Sequence, residues 1–408
     1  MHYYLCFAGE EAKSETGVHT YSYDAFLFIE KILTSFQSNV TTMPIYMDIH
    51  ILPGVKARDV AEAHHLDLLH QEQYQCKCMT YWIDEERESV FCLIDAPTRE
   101  AVEEMHKNAH GLMPNRIIEV KSSLVESFLG RIYDPLNAAT TENGLKVFND
   151  PSFRILLVTK ITDPILLMYK LGPEKAGELL RAHNEIIKKN LQCYGGSEVE
   201  HGGIGFIISF TSAGTAVSCA LAILDAMKTA GGNDLDFKIG INAGEPIEKS
   251  NKLFGDTLQL AGNICSIASN MQVAVTGTVK ELVLKEHFQN RENNIFTLSA
   301  PDETLLELLY TKLEENWQDP EFDIANYCQV MAMSNSQLYR KTVSLTGLSP
   351  NLFLKDFRLE KAKELMKKKR YSISQITFES GFSSPSYFTK CFKKKYGLLP
   401  MAYLDLVH

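Results

Sequence analysis

A repeat with a fifty-residue offset constrains this chain more than any other feature. Ser336, Leu338, Arg340, Gly347 and Pro350 recur as Ser386, Phe388, Lys390, Gly397 and Pro400. Each copy reads as a short helix, a polar break, a second helix with basic residues, a glycine stop and a proline restart. Ser334 stands where a helix N-cap belongs, as does Ser383 or Ser384 just before Pro385. The pattern predicts two helix-turn-helix units. A long central helix, from Ser349-Pro350 to Arg370, joins them.

Charge is distributed unevenly around this repeat. The 408 residues carry a net −10, which alone argues against nucleic acid. From Glu321 onward, however, fourteen Lys/Arg stand against seven Asp/Glu, a local +7. The preceding residues therefore carry −17. A basic end on an acidic body is what a DNA-binding module fused to a sensor requires. The length predicts several domains, and a 45% hydrophobic content supplies their cores. No apolar run has the length of a membrane span, and Glu10 and Glu11 stand where a secretory leader would be basic. The nine cysteines form no CxxC pair. A cytoplasmic protein with no membrane partner is expected.

The fold class expected is multidomain α+β. Residues 1–42 read as an extension, with an amphipathic helix over Phe26–Phe36. Residues 43–121 read as β-α-β-β-α-β, a ferredoxin-like domain. Residues 122–151 show turn chemistry without periodicity and read as a linker. Residues 152–290 read as an α/β domain. Residues 302–408 read as the all-α double helix-turn-helix domain, led by a helix over Glu303–Trp317. Six of the twelve histidines fall between His50 and His110. His106 and His110 share a helix face, and Asp48 and His50 share a strand face. Imidazoles with an occasional carboxylate suit nickel, copper or zinc. Surface or interface polarity is the alternative.

Three resemblances follow from particular stretches. "MPIYMDIHILPG", "AHHLDL", "YWIDEERESVFCLIDAP" and "HKNAHG" resemble the small nickel-binding ferredoxin-like family of bacteria. That resemblance implies nickel or another divalent transition metal as cofactor, with His50, His64, His106 and His110 as candidate ligands. "ILLVTKITDPILLMYKLGPEKAGELL", "YGGSEVEHGGIGFIISF", "FKIGINAGEP" and "FGDTLQLAGNICSIA" resemble the catalytic domain of class III nucleotidyl cyclases. The family holds two metal ions with two aspartates, and those positions carry Lys160 and Ile204 here. Its purine-selecting lysine falls on Glu200, and its transition-state asparagine and arginine fall on Gln259 and Asn263. Asp163 lies three residues from Lys160, too far along to substitute. The resemblance thus implies a cyclase-like fold without the reaction, so no enzyme, and a domain that forms a homodimer, the favoured reading, or binds a small ligand in the vacant cleft. "MSNSQLYRK", "RLEKAKELM" and "ISQITFESGFSSPSYFTKCFKKKYGLLPMAYL" resemble the DNA-binding domain of AraC-family transcription regulators.

Double-stranded DNA is the partner expected. A helix in the major groove offers its first turns to base edges. In the first unit these are Asn335, Ser336, Gln337 and Arg340, with Lys341 on phosphate. In the second they are Ser384, Ser386, Thr389 and Lys390, with Lys393 and Lys394 on phosphate. Lys367, Lys368 and Lys369 read as a solvated face. The expected function is a sequence-specific transcription regulator with a metal- or ligand-sensing front module. The alternatives are an active cyclase tethered to DNA and a metal storage or trafficking protein.

Overall fold

The computed structural model describes residues 43–142, 144–202, 205–230, 235–283, 294–368 and 371–407. The helix expected over Phe26–Phe36, and Ile204, lie outside the described residues. From Pro44 onward the chain forms a single compact unit.

Its first part alternates strand and helix as the apolar periods dictate. Strands β1 (Ile45–Ile51), β2 (Lys77–Asp84), β3 (Ser89–Asp95) and β4 (Arg116–Val120) are joined by helices α1 (Ala57–His70) and α2 (Arg99–Ala109). The sheet order is β2-β3-β1-β4, the ferredoxin-like plan. Alternation along the strands gives the sheet two apolar faces. Tyr81, Val90, Cys92 and Ile117 meet Val60, Val102 and Met105 of α1 and α2. Met47, Ile49, Trp82, Phe91, Leu93 and Ile118 line the opposite face.

That opposite face corrects the linker. Residues 122–129 form helix α3 (Ser122–Leu129), closed by Gly130, and a short hairpin, β5 (Ala139–Thr140) and β6 (Lys146–Val147), follows. Val125, Phe128 and Leu129 of α3 join the sheet's face to Leu156, Ile247 and Phe254 of the next domain in one apolar cluster. The buried Arg154 guanidinium donates to the carbonyls of Phe128 and Leu129 at 3.2 and 3.1 Å. It thereby satisfies carbonyls at the C-terminal end of α3 that have no helical partner. The segment is structural because it covers an apolar sheet face.

The middle domain repeats the same plan. It runs β7 (Arg154–Lys160), α4 (Pro164–Leu171), α5 (Pro173–Tyr194), β8 (Ser197–Gly202), β9 (Gly205–Phe210), α6 (Ala213–Thr229) and β10 (Lys238–Gly244). Helix α7 (Gly255–Ile267), β11 (Gln272–Val275), α8 (Gly277–Leu282) and β12 (Ile295–Thr297) complete it. The sheet order is β12-β11-β10-β7-β9-β8. Its β10-β7-β9-β8 portion has the same strand plan as the first domain's β4-β1-β3-β2. Helices α5 and α6 cover one face through Ile187, Ala216, Val217, Ala220 and Leu224. On the other, Gly240 lets α7 approach, since a Cβ there would sit 2.2 Å from the Ala261 carbonyl oxygen. β12 pairs in parallel with β11, so the sheet extends beyond the expected boundary at 290. The stretch is only three residues long and carries no strand period of its own.

The last part is helical: α9 (Ala300–Asn316), α10 (Ile324–Val330), α11 (Asn335–Thr346), α12 (Pro350–Lys368), α13 (Ile373–Glu379), α14 (Pro385–Tyr396) and α15 (Pro400–Val407). The first half of α12 packs through Phe353 and Leu354 in one core, with Leu338 and Leu345. Its second half packs through Leu359, Ala362 and Met366 in another, with Phe388 and Phe392. The central helix therefore belongs to both units, as its length predicts. In α10 the buried residue is Tyr327, whose hydroxyl donates to the Leu309 carbonyl at 3.0 Å. Ala325 on the same helix is exposed. Thr342 is fully buried in the first unit and its hydroxyl has no hydrogen-bond partner among the described residues. Thr342→Val keeps the shape and removes an unpaired polar group. It is expected to raise the urea midpoint of that unit, by a gain of about 1 kcal/mol.

Candidate functional site

Two surfaces gather functional side chains. The first is formed by α11 and α14. Each starts on a serine cap: the Ser334 hydroxyl accepts from the Gln337 N–H at 3.2 Å, and the Ser384 hydroxyl accepts from the Tyr387 N–H at 3.4 Å. Leu338, Thr342 and Leu345 turn α11 inward, and Phe388, Cys391 and Phe392 do the same for α14. The opposite faces are left to solvent. Asn335, Ser336, Gln337, Arg340 and Lys341 are exposed on α11. Ser386, Lys390, Lys393 and Lys394 are exposed on α14, while Ser384 and Thr389 are half-buried.

Local bonds refine these residues. The Gln337 side-chain oxygen accepts from the Ser334 N–H at 3.0 Å, completing a capping box. That leaves its amide nitrogen to face outward. The Ser384 hydroxyl is likewise engaged as a cap. Lys395 folds back to Asp356 and Glu360 at 3.4 and 3.3 Å. Lys393 and Lys394 form no ion pair among the described residues. Sequence reasoning missed Tyr339 and Tyr387, which are 55% and 52% exposed. Ser336, Tyr339 and Arg340 fall at i, i+3 and i+4, so one helix face carries all three. The exposed aromatics had a signal: each neighbours the core position of its repeat, Leu338 or Phe388.

The second surface is a pocket at the helix-covered side of the first domain. His50, His64, Asp67, Cys92 and His110 line it beside Val55, Val60 and Leu112. β1 supplies Asp48 and His50, α1 supplies His64 and Asp67, and α2 and its C-terminal end supply His106 and His110. The fully buried His106 ring bridges two carboxylates. Its Nε2 lies 2.9 Å from Asp48 Oδ2 and its Nδ1 lies 3.1 Å from Asp67 Oδ1. His110 Nε2 lies 3.1 Å from the same Asp67 oxygen. His50 Nε2 lies 3.3 Å from Asp48 Oδ1.

Electrostatics in this pocket follow from the pairing. Burial opposes charge on His106, but Asp48 and Asp67 outweigh it and push its pKa up to about 10. Burial would raise the Asp48 carboxyl, yet His50 and His106 hold it well below the usual carboxylate range. Desolvation lowers His64, which faces Asp134 at 3.9 Å. Two groups, Asp48/His50/His106 and Asp67/His106/His110, each bring their ligand atoms within 4.8 Å of one another. His50 Nδ1 is buried without a hydrogen-bond partner among the described residues. An orphaned imidazole nitrogen beside paired carboxylates fits a nickel- or zinc-type ion. Of the expected ligands, His50, His106 and His110 come together; His64 lines the same pocket but pairs elsewhere. Asp67 was missed, although it follows His64 by three residues and so shares its helix face.

Among the described residues the cyclase-like positions form no comparable cluster. The Lys160 ammonium donates to the Gly262 carbonyl at 3.3 Å and to the Ser266 hydroxyl, both on α7. Gln259 and Glu200 are exposed, and Asn263 is half-buried. Asp163 points elsewhere, to the helical domain. Lys367, read as solvated, reaches Asp163 at 3.0 Å because α4 brings that carboxylate to α12. Among the described residues no helix is long and apolar enough to cross a membrane.

Comparison with known proteins matches separate stretches of the chain. Residues 46–120 match the family described as "Nickel responsive protein SCO4226-like". Over 123 residues the chain is 35% identical to "Histidine kinase P4" of Formosa agariphila, covering 29% of this chain and 9% of that protein. Over 99 residues it is 33% identical to "HTH-type transcriptional regulator MtrA" of Neisseria gonorrhoeae, covering 24% and 31%. The chain thus spans less than a third of the length of either relative. Among solved structures, SCO4226 of Streptomyces coelicolor A3(2) shares 28% identity (19% of this chain, 94% of that one, TM-score 0.18). The guanylyl cyclase Cya2 shares 22% (33% and 79%, TM-score 0.29). The DNA-binding domain of AdpA, solved with a target DNA, shares 29% (25% and 89%, TM-score 0.24). Residues 327–405 match the family described as "Helix-turn-helix domain", and the two-unit repeat is therefore a helix-turn-helix domain similar to those of transcription regulators.

Proposed function

We propose that this chain is a sequence-specific DNA-binding transcription regulator whose front module senses a divalent metal. The observation that carries the reading is the pair of capped, outward-facing helices α11 and α14 on one shared central helix. Asn335, Ser336, Gln337 (through its amide nitrogen), Tyr339 and Arg340 read base edges from the first unit. Ser386, Thr389 and Lys390 read them from the second, and Lys341, Lys393 and Lys394 bind phosphate. Ser384 serves this surface as a cap.

In the front module Asp48, His50, His106, Asp67 and His110 would hold the ion. A bound divalent cation would supply charge that ties β1 to α1 and α2. Asp48 and Asp67 orient the His106 ring between them, and the apolar lining limits water. The middle domain transmits rather than catalyses. Lys160, at the end of β7, stands where a metal-binding carboxylate would be needed and bonds to α7 instead, which supports a non-catalytic role. The regulator is placed in the cytoplasm, where DNA is available. A homodimer is part of this reading, and its contact would have to avoid the sheet face that α3 and Phe254 cover.

Nickel titrated into the full-length chain tests the sensing step, with calorimetry reading metal binding and a DNA-binding assay reading the response. Expected are metal binding and a change in DNA affinity together. Metal binding with unchanged DNA affinity would favour the storage or trafficking reading.

A further inference from the structure

The two helix-turn-helix units are fastened to the middle domain by different kinds of contact. The first shares an apolar core with it. Leu260 and Ile264 of α7 and Leu298 pack with Leu306, Leu309 and Leu313 of α9, and that cluster continues into Tyr327 and Leu338. Such a contact is broad and non-directional. The second unit meets the middle domain at one buried carboxylate and the two apolar side chains beside it. Asp163, at the start of α4, is 6% exposed. Its Oδ2 accepts from Lys363 at 3.3 Å, from Lys367 at 3.0 Å and from the Tyr403 hydroxyl at 2.8 Å. Its Oδ1 accepts from the Ile165 N–H at 3.0 Å, so the carboxylate is also the N-cap of α4 and cannot swing freely. Ile165 and Leu166 lie half-buried against the second unit's core.

The difference matters for control. Charge-assisted hydrogen bonds are short and directional, so a small shift of α4 breaks several at once. An apolar weld slides and keeps most of its contact. Lys363 and Lys367 lie in the half of α12 that belongs to the second core, and Tyr403 lies on α15. All three donors therefore move with the second unit. Lys363 is buried, Lys367 is exposed but paired with the carboxylate, and Tyr403 is fully buried.

We propose that Asp163 is a positioning residue for the second helix-turn-helix unit: a polar latch by which the middle domain holds that unit, and from which it is released while the first unit stays docked. Its consequence for operator choice rests on the DNA-binding reading above; the latch itself does not.

Hydrogen exchange on the full-length chain tests the latch directly. In Asp163→Asn, amides of residues 373–407 are expected to exchange about tenfold faster or more, the response to losing a charge-assisted contact. Amides of residues 324–346 are expected to stay as in the wild type. Lys367→Met touches the most exposed partner and is expected to give the same selective change, smaller in size. If Asp163→Asn unfolds the whole chain, Lys367→Met decides. Equal acceleration in both units, or none in either, overturns the proposal. The functional arm is selection from random-sequence duplex DNA. The wild type is expected to enrich two motifs at one spacing, and Lys367→Met to keep the first motif while the spacing to the second broadens. An unchanged single spacing overturns the latch as a positioning device. If the wild type enriches no motif, the DNA-binding reading fails, and the exchange result alone decides the latch.

Discussion

His106→Ala is expected to destabilise the first domain by about 3–5 kcal/mol, the loss that follows when one partner of a buried charged network is removed. The ring is fully buried and touches Asp48 and Asp67, themselves 1% and 3% exposed. Its removal leaves two carboxylates in a low-dielectric site. Among the described residues Asp48 keeps His50 and Cys92, whose N–H lies at 3.3 Å. Buried Trp82 reports on this domain, and Trp317→Phe removes the other tryptophan signal. Urea unfolding followed by Trp82 fluorescence measures the loss. A triple change, Asp48→Asn, Asp67→Asn and His106→Leu, is expected to recover part of it, because no uncompensated charge remains. A loss under 1 kcal/mol for His106→Ala would show that the network is not what organises the pocket.

Arg340→Ala is expected to cost about 1–3 kcal/mol on the preferred DNA and much less on unrelated sequences, so that discrimination falls. Arg340 is exposed on α11, on the face shared with Ser336 and Tyr339. Lys393→Ala is expected to weaken binding to all sequences alike and to reduce the salt slope by about 1. Affinity for selected and scrambled duplexes, measured over a salt series, separates the two. Uniform weakening by Arg340→Ala would remove it from the base-reading set.

Much of the fold could be read from residue patterns because its signals are local. Glycine stops, serine caps and the fifty-residue offset placed the helices of the last domain, and strand alternation placed the first sheet. What escaped was set by tertiary contact. Helix α3 has only two turns, and its reason for folding is the apolar face it covers. Strand β12 exists because β11 offers an edge. Lys367 looked like a solvated charge because Asp163 lies 204 residues away in sequence. In the histidine pocket, spacing revealed His106 with His110 and Asp48 with His50. Asp67 shares the helix face of His64, but that this face of α1 would meet the other residues depends on the packing of α1 on α2, which residue spacing does not show. The exposed tyrosines escaped for the opposite reason: an aromatic beside a core position is read as core until its helix face is known.

The central claim is that both helix-turn-helix units read DNA together. Hydroxyl-radical footprinting of the full-length chain on a selected duplex tests it most directly. Expected are two protected patches on one face of the duplex, roughly 34 Å or one helical turn apart, which shrink to one when α14 is disabled by Lys390→Ala with Lys393→Ala. Protection that is uniform along the duplex, and the same on scrambled sequence, would contradict it.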